Sequence, residues 1–262
     1  MLSFARRLAP YILGAYAVIL IVSTATDFYP YEDVAFFFDD SPERAYAYAL
    51  KHFSALDARE YDIDRAEFFY LEAAKRNLDV GYPYHELARI AFLRGDFERA
   101  LALIKLQIVL HGDSMPNSYY IRGLILGFME RYDEAALSFE KFLKFHPTNW
   151  AAMNDYAWVL LKAGRAKEAR LITEKALEYF PNNVWVLNSN AIAAFEMGDT
   201  AGALESASKA AQFIDTVGVE DWLRAYPGND PNIAHEGITA LRGSILKNMH
   251  MLRAASAKDA VE

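Results

Sequence analysis

The sequence lacks the residues and motifs on which much enzyme chemistry depends. No cysteine occurs among its 262 residues, which excludes disulfides, thiolate metal sites and cysteine nucleophiles. It contains no phosphate-binding GxxxxGK[ST] loop, no GxSxG nucleophile elbow and no HExxH zinc motif. None of the six histidines has a second histidine at metal-ligand spacing. We therefore predict that the protein is not an enzyme and uses neither a metal nor a cofactor.

Positive charge is also scarce. The chain has 27 lysines and arginines against 35 acidic residues, a formal net charge of −8. Nucleic-acid binding depends on clustered cations, and no basic stripe or RNA-binding motif is present. We expect protein or peptide partners and no nucleic acid.

Small residues recur at a fixed period through most of the chain. One series is separated by 34, 35, 34 and 34 residues: Ala66, Ala100, Ala135, Ala169 and Ala203. A second series has the same spacings twelve residues upstream: Ser54, Ala88, Gly123, Ala157 and Ala191. A period near 34 residues is typical of helix–turn–helix units stacked into a solenoid. Because antiparallel helices approach closely only where the facing side chains are small, we expect the two series to meet inside each hairpin.

The clearest unit extends from Trp150 to Asn183. Apolar residues follow helical spacing in both of its halves, Gly164 separates the halves, and Pro181 ends the second. Glycine suits a helix C-cap, and proline cannot continue a helical hydrogen-bond ladder. This unit therefore predicts two short amphipathic helices joined by a tight turn.

These features resemble the tetratricopeptide repeat, which has small residues at the same two sites, glycine at the turn and proline at the end of the second helix. The resemblance covers five repeats, at about 47–80, 81–115, 116–149, 150–183 and 184–215. The first repeat departs from the pattern, since Tyr61 stands where the turn glycine is expected. The resemblance implies an all-α solenoid of about five repeats, between residues 47 and 215, that binds other proteins.

The resemblance also implies which side chains face a partner. In this family the second, fifth, ninth and twelfth positions of each repeat face the concave groove. The partner-binding candidates are Tyr82, His85, Arg89, Tyr120, Asn154, Trp158, Trp185 and Asn188. The wider set at these positions adds Tyr48, Lys51, Phe92, Asn117, Leu124, Leu161, Ile192 and Phe195. Lys51 has no matching lysine in the next repeat, so the two-lysine carboxylate clamp of chaperone-binding members is not predicted.

The N-terminal segment predicts a membrane anchor. Leu8–Thr26 contains no charged residue and spans about 28 Å as a helix, roughly the thickness of a hydrocarbon core. Arg6 and Arg7 precede it and acidic residues follow, so the positive-inside rule keeps the N-terminus cytoplasmic. We expect residues 1–26 to form a single-pass anchor in the inner membrane, with the repeats exported. A cleaved signal peptide and a buried N-terminal helix are the alternatives.

Two further segments flank the repeats. Residues 27–46 are predicted to be a juxtamembrane linker and lead-in; within them, Val34–Phe38 either caps the first repeat or contacts the membrane or a partner. Residues 216–262 are predicted to form a loop, a capping helix and a frayed tail. The helix is indicated by apolar residues at steps of three and four: Ile238, Leu241, Ile245, Met249 and Leu252. Docking of a partner is the alternative role for this helix.

We predict a membrane-anchored repeat scaffold that binds partner proteins or peptides during envelope complex assembly or secretion. A regulatory subunit of an envelope enzyme complex is one alternative. A receptor of the mitochondrial outer membrane, with its repeats in the cytosol, is another.

Overall fold

The computed structural model describes residues 30–54, 59–225 and 230–259. Thirteen α-helices and no strand occur in these ranges. The chain divides into two compact units, Met1–Pro83 and Tyr84–Glu262. The predicted all-α repeat architecture is confirmed.

The first unit contains helices α1 (Pro30–Phe38), α2 (Pro42–Phe53) and α3 (Ile63–Arg76). The Asp62 side chain caps α3 by accepting from the backbone N–H groups of Asp64 and Arg65 at 3.1 and 2.9 Å. Helices α2 and α3 pack on each other around a core formed by Ala45, Ala49, Phe53, Ala66, Phe69, Tyr70 and Ala73.

The register of this first hairpin differs from the predicted one. Ser54 ends α2 as its C-cap and is exposed, whereas Ala45 and Ala49 are completely buried. The physical reason is a longer connection: residues 54–62 separate α2 from α3, where each later hairpin has three connecting residues. Ala66 keeps its predicted buried position.

Helix α1 is attached to the hairpin by a buried carboxylate. Glu32 contacts Lys51 Nζ at 2.9 Å, His52 Nε2 at 2.7 Å and Arg65 Nε at 3.0 Å. Burial alone would raise the pKa of Glu32, but these hydrogen bonds and the nearby positive charge outweigh it and lower the pKa to about 2. On the same helix, the Phe36 ring packs edge-to-face on Phe69 at 5.4 Å.

The aromatic run at the end of α1 is therefore divided. Phe36 packs on the first hairpin, and the Arg76 guanidinium lies 5.2 Å from the centre of its ring. Phe37 and Phe38 are 82% and 81% exposed. One residue of this run thus has the capping contact considered from the sequence, and its two neighbours face outward.

The second unit contains four successive helical hairpins. Their helices are α4 (Pro83–Leu93), α5 (Phe97–His111), α6 (Asn117–Phe128), α7 (Tyr132–Phe145), α8 (Trp150–Lys162), α9 (Ala166–Tyr179), α10 (Val184–Glu196) and α11 (Thr200–Phe213). Gly164 takes a φ of +72° in one turn, and Glu130 takes +59° at the equivalent position of the preceding hairpin. The turn therefore requires a left-handed residue even where the sequence offers no glycine.

Both series of small residues are buried in these four hairpins, as the helix-packing argument predicts. Gly123 has a further reason to be glycine. A Cβ there would lie 2.9 Å from the Phe139 ring, so this ring occupies the space that alanine fills in the other repeats.

The chain ends with α12 (Val219–Ala225) and α13 (Ala234–Asp259). Helix α13 packs on α10 and α11 and buries Ile245, Met249 and Leu252. The Asn248 side chain also donates to Asn188 Oδ1 at 2.9 Å, which fixes the position of α13 along α10. The final helix therefore covers the apolar side of the last hairpin.

The predicted localisation is contradicted. None of the helices in residues 30–54, 59–225 and 230–259 has the length and apolar character needed to cross a bilayer. The prediction of a single-pass inner-membrane topology with exported repeats is therefore wrong. It was inferred from the charge-free run Leu8–Thr26. That run lies outside the described residues.

Candidate partner-binding site

A cavity of about 310 Å³ lies among the first helices of the second unit's hairpins. It is lined by Phe92 and Leu93 of α4, Leu124 and Phe128 of α6, Asn154, Asp155 and Trp158 of α8, Trp185, Asn188 and Ser189 of α10, and Leu241 of α13. All four hairpins and the last helix thus contribute to one concave site. Its volume is at the small end of the roughly 300–1,000 Å³ typical of ligand pockets.

Aromatic rings form much of the wall. Phe128 lies 5.3 Å from Trp158 and 5.1 Å from Phe92, measured between ring centres. Trp158 approaches the α6 backbone closely, since a Cβ at Gly127 would lie 2.7 Å from its ring. The absence of a side chain at Gly127 therefore sets the position of the Trp158 ring.

Trp185 provides a second indole on the same wall. Its ring packs at a tilt of 35° against Trp150 at the start of α8, with the ring centres 5.3 Å apart. Its indole N–H is buried and has no hydrogen-bond acceptor in the described part of the chain. Both tryptophans of the cavity are thus positioned by packing with neighbouring repeats.

One carboxylate lies among these rings. Asp155 Oδ2 accepts from the Tyr120 hydroxyl at 2.7 Å, and Oδ1 accepts from Asn154 Nδ2 at 3.3 Å. Burial raises the pKa of Asp155 to about 6, against the opposing effect of these two hydrogen bonds. In the described ranges no lysine, arginine or histidine pairs with Asp155 or lines the cavity. The charge of Asp155 therefore has neutral partners only.

Two amides on adjacent repeats complete the polar part of the site. Asn154 Oδ1 accepts from the Ser189 hydroxyl at 2.8 Å, which connects α8 to α10. Asn188 Oδ1 accepts from Asn248 of α13. Each amide thus has a structural partner besides its place on the cavity wall. No group of three histidine or acidic residues in the described ranges is arranged to hold a metal ion.

Four of the eight partner-binding candidates line this cavity: Asn154, Trp158, Trp185 and Asn188. Tyr120 does not line the cavity itself. It hydrogen-bonds the lining residue Asp155, and its ring packs on Phe142 with the ring centres 5.3 Å apart. The periodic positions therefore bring half of the predicted side chains to one place.

The other three candidates lie elsewhere. His85 is 4% exposed and its Nδ1 is 3.3 Å from the Ser118 hydroxyl; burial lowers its pKa to about 4. Arg89 pairs with Glu86 on its own helix at 2.5 Å. Tyr82 precedes α4 with a φ of +62° and belongs to the first unit.

Four cavity-lining residues on the first helices of the hairpins were not predicted from the sequence: Asp155, Ser189, Leu93 and Phe128. Asp155 and Ser189 take the sixth position of their repeats, and Leu93 and Phe128 take the thirteenth. An apolar face of a globular helix is wide enough to include i, i+3, i+4 and i+7. Adding the sixth and thirteenth positions to the second, fifth, ninth and twelfth would have found all four residues.

Sequence models of the tetratricopeptide repeat match two parts of the chain, residues 81–104 and 129–184. The matched ranges include helix α4 and the whole of the α8–α9 hairpin. These matches support the repeat family that the periodic small residues indicated. No curated protein sequence gives a significant match.

Solved structures of MamA have a similar fold. MamA from AMB-1 is 22% identical, with a TM-score of 0.53, and the match covers 68% of this chain and 95% of MamA. MamA from MSR-1 is 21% identical, with a TM-score of 0.54 over 66% of this chain and 98% of MamA. At these identities the similarity shows a helical-repeat fold and nothing more specific.

Proposed function

We propose that the protein is a non-enzymatic scaffold whose second unit binds an extended segment of a partner protein along the first helices of its hairpins. The observation that carries the proposal is the convergence of Asn154, Trp158, Trp185 and Asn188 from two successive repeats on one cavity. Aromatic anchors in a partly buried pocket, surrounded by polar groups, are the usual composition of an energetic hot spot.

The chemical character of the cavity also suits a peptide ligand. The aromatic rings offer contact area, while the amide groups of Asn154 and Asn188 can hydrogen-bond a main chain that has no helical or sheet partners of its own. The envelope role considered from the sequence depended on the membrane topology, so it is not part of the proposal.

Random-peptide display against the full chain tests this function. Selected peptides should bind wild type, and Trp158→Ala should weaken binding by about thirtyfold or more, as expected for an aromatic anchor worth about 2 kcal/mol. Leu171→Ala is the matched control, because Leu171 is 60% exposed on the second helix α9 and outside the cavity. It should leave the affinity unchanged.

The variant must remain folded for this comparison, since Trp158 also packs on Phe128 and Gly127. Melting curves of both variants provide that check. Failure to select any peptide, or equal binding by a folded Trp158→Ala variant, would contradict the proposal. The amides are poorer probes, because Asn154 and Asn188 also make the bonds to Ser189 and Asn248.

A further inference from the structure

The cavity has an unusual electrostatic composition. Among the described residues that line it, Asp155 is the one ionisable side chain, and the others are aromatic and aliphatic side chains, two amides and a hydroxyl. Its two hydrogen bonds come from the neutral donors Tyr120 and Asn154. Asp155 is half-buried and has no cationic partner, which disfavours its charged form, and a cation entering the cavity would relieve this cost.

The aromatic rings favour the same kind of ligand. The faces of tryptophan and phenylalanine rings are electron-rich and attract organic cations within about 6 Å of the ring centre. Trp158 and Phe128 lie side by side on the wall that also carries Asp155. Aromatic faces combined with one carboxylate form a site that selects positive charge on an otherwise apolar group.

We propose that this cavity receives a basic side chain, the ammonium group of lysine or the guanidinium group of arginine, with Asp155 as its counter-charge and Trp158 against its alkyl stem. This inference rests on the proposed function, because the basic side chain would belong to the partner segment. It adds the chemical class of the partner side chain that the cavity would recognise. The raised pKa of Asp155 agrees with a carboxylate that lacks a cation in the unbound protein.

Single-residue probes test the inference without any selected peptide. N-acetyl-lysine N-methylamide and its arginine counterpart should shift the indole N–H resonances of Trp158 and Trp185 saturably. The norleucine compound has the lysine stem without the charge, and it should bind at least tenfold more weakly. Equal binding of the norleucine and basic probes, or no saturable shift with any of them, would overturn the inference.

Two charge-neutralising variants test whether the preference for basic probes over the norleucine compound depends on Asp155. Asp155→Asn should abolish the preference for lysine and arginine over norleucine, while its side chain can still accept from Tyr120. Glu178→Gln removes the same charge from an exposed position on α9 and should keep the preference. Melting curves show whether Asp155→Asn is folded. If a folded Asp155→Asn variant retains the preference, Asp155 is not the counter-charge.

The two proposals can fail separately. Peptides that bind in a Trp158-dependent way but show no enrichment of basic residues would refute the cationic ligand and leave the scaffold function in place. Basic probes that bind through Asp155, combined with a display library that yields no peptide, would support the cation site and refute the scaffold function.

Discussion

At the scale of single residues, His85 combines a titratable ring with a fully buried site. Burial lowers its pKa from 6.5 to about 4, so the folded protein holds it neutral at physiological pH. Between pH 6.5 and 4 the unfolded chain binds this proton and the folded chain does not, which makes the free energy of unfolding fall as the pH is lowered. A shift of this size corresponds to about 3 kcal/mol.

We therefore expect His85→Gln to lose less stability than wild type between pH 7 and pH 4. Urea denaturation at several pH values measures the difference, which should approach about 3 kcal/mol. His250→Gln, at an exposed position of α13, should follow the wild-type curve. Parallel curves for His85→Gln and wild type would contradict this account of the buried ring.

Single residues also show which features the sequence predicts and which it does not. The fifth and ninth positions predicted that Asn154 and Trp158 share one side of a helix, and both line the cavity, because helical periodicity fixes which side of a helix a residue occupies. Periodicity does not report depth, so buried His85 was assigned to the same exposed surface. Asp155 was missed because the sixth position of the repeat was not counted as part of the groove, and only the packed structure shows that Tyr120 and Asn154 are its partners.

At the scale of elements, α1 depends on the buried Glu32. Glu32→Gln should destabilise the attachment of α1 to α2 and α3 by about 3–5 kcal/mol, because it leaves Lys51, His52 and Arg65 around an uncharged side chain. Amide hydrogen exchange of α1 measures this loss and should increase strongly.

The control is Glu43→Gln, an exposed acid in the first turn of α2, which should cost less than about 1 kcal/mol. The pH dependence gives a second measurement. The pKa of Glu32 is lowered to about 2, so its contribution is present above about pH 4.3 and is lost as the pH falls toward 2. Unchanged exchange in Glu32→Gln would show that α1 is held by its other contacts, which include Phe36 on Phe69 and the Asp33–Arg65 ion pair.

The elements differ in how well the sequence predicts them. The hairpins of the second unit follow from their turn residues and small-residue spacing, and α8 begins at Trp150, where the repeat was expected to begin. The first hairpin differs from its predicted register at the connection between α2 and α3. Tyr61 stands where the turn glycine was expected, so the sequence did not indicate that this connection is longer than in the other hairpins. Helix α1 could not be predicted, since it depends on Glu32 meeting cations up to 33 positions away.

At the scale of the whole molecule, the hairpins of the second unit contact mainly their neighbours, so the stability of that unit should be distributed locally. Ala169 is completely buried in the core that also contains Ala157. Ala169→Leu should overpack this contact and cost about 1–3 kcal/mol, whereas Lys167→Ala at an exposed position should stay within about 0.5 kcal/mol.

Hydrogen exchange should show the largest increase in α8 and α9 and progressively smaller increases in more distant hairpins. Equal melting temperatures for Ala169→Leu and Lys167→Ala would contradict the packing register. A uniform increase across all helices would instead contradict the nearest-neighbour description.

The position of Leu241 has a consequence for synthesis on the ribosome. The hairpins α4–α5 to α10–α11 emerge in order, and each can pack on the one before it. Helix α13 contributes Leu241 to the cavity wall, so the wall is incomplete in a nascent chain whose α13 is still inside the ribosome. The proposed capture of a partner by the complete cavity therefore requires that α13 has left the ribosome and packed on α10 and α11.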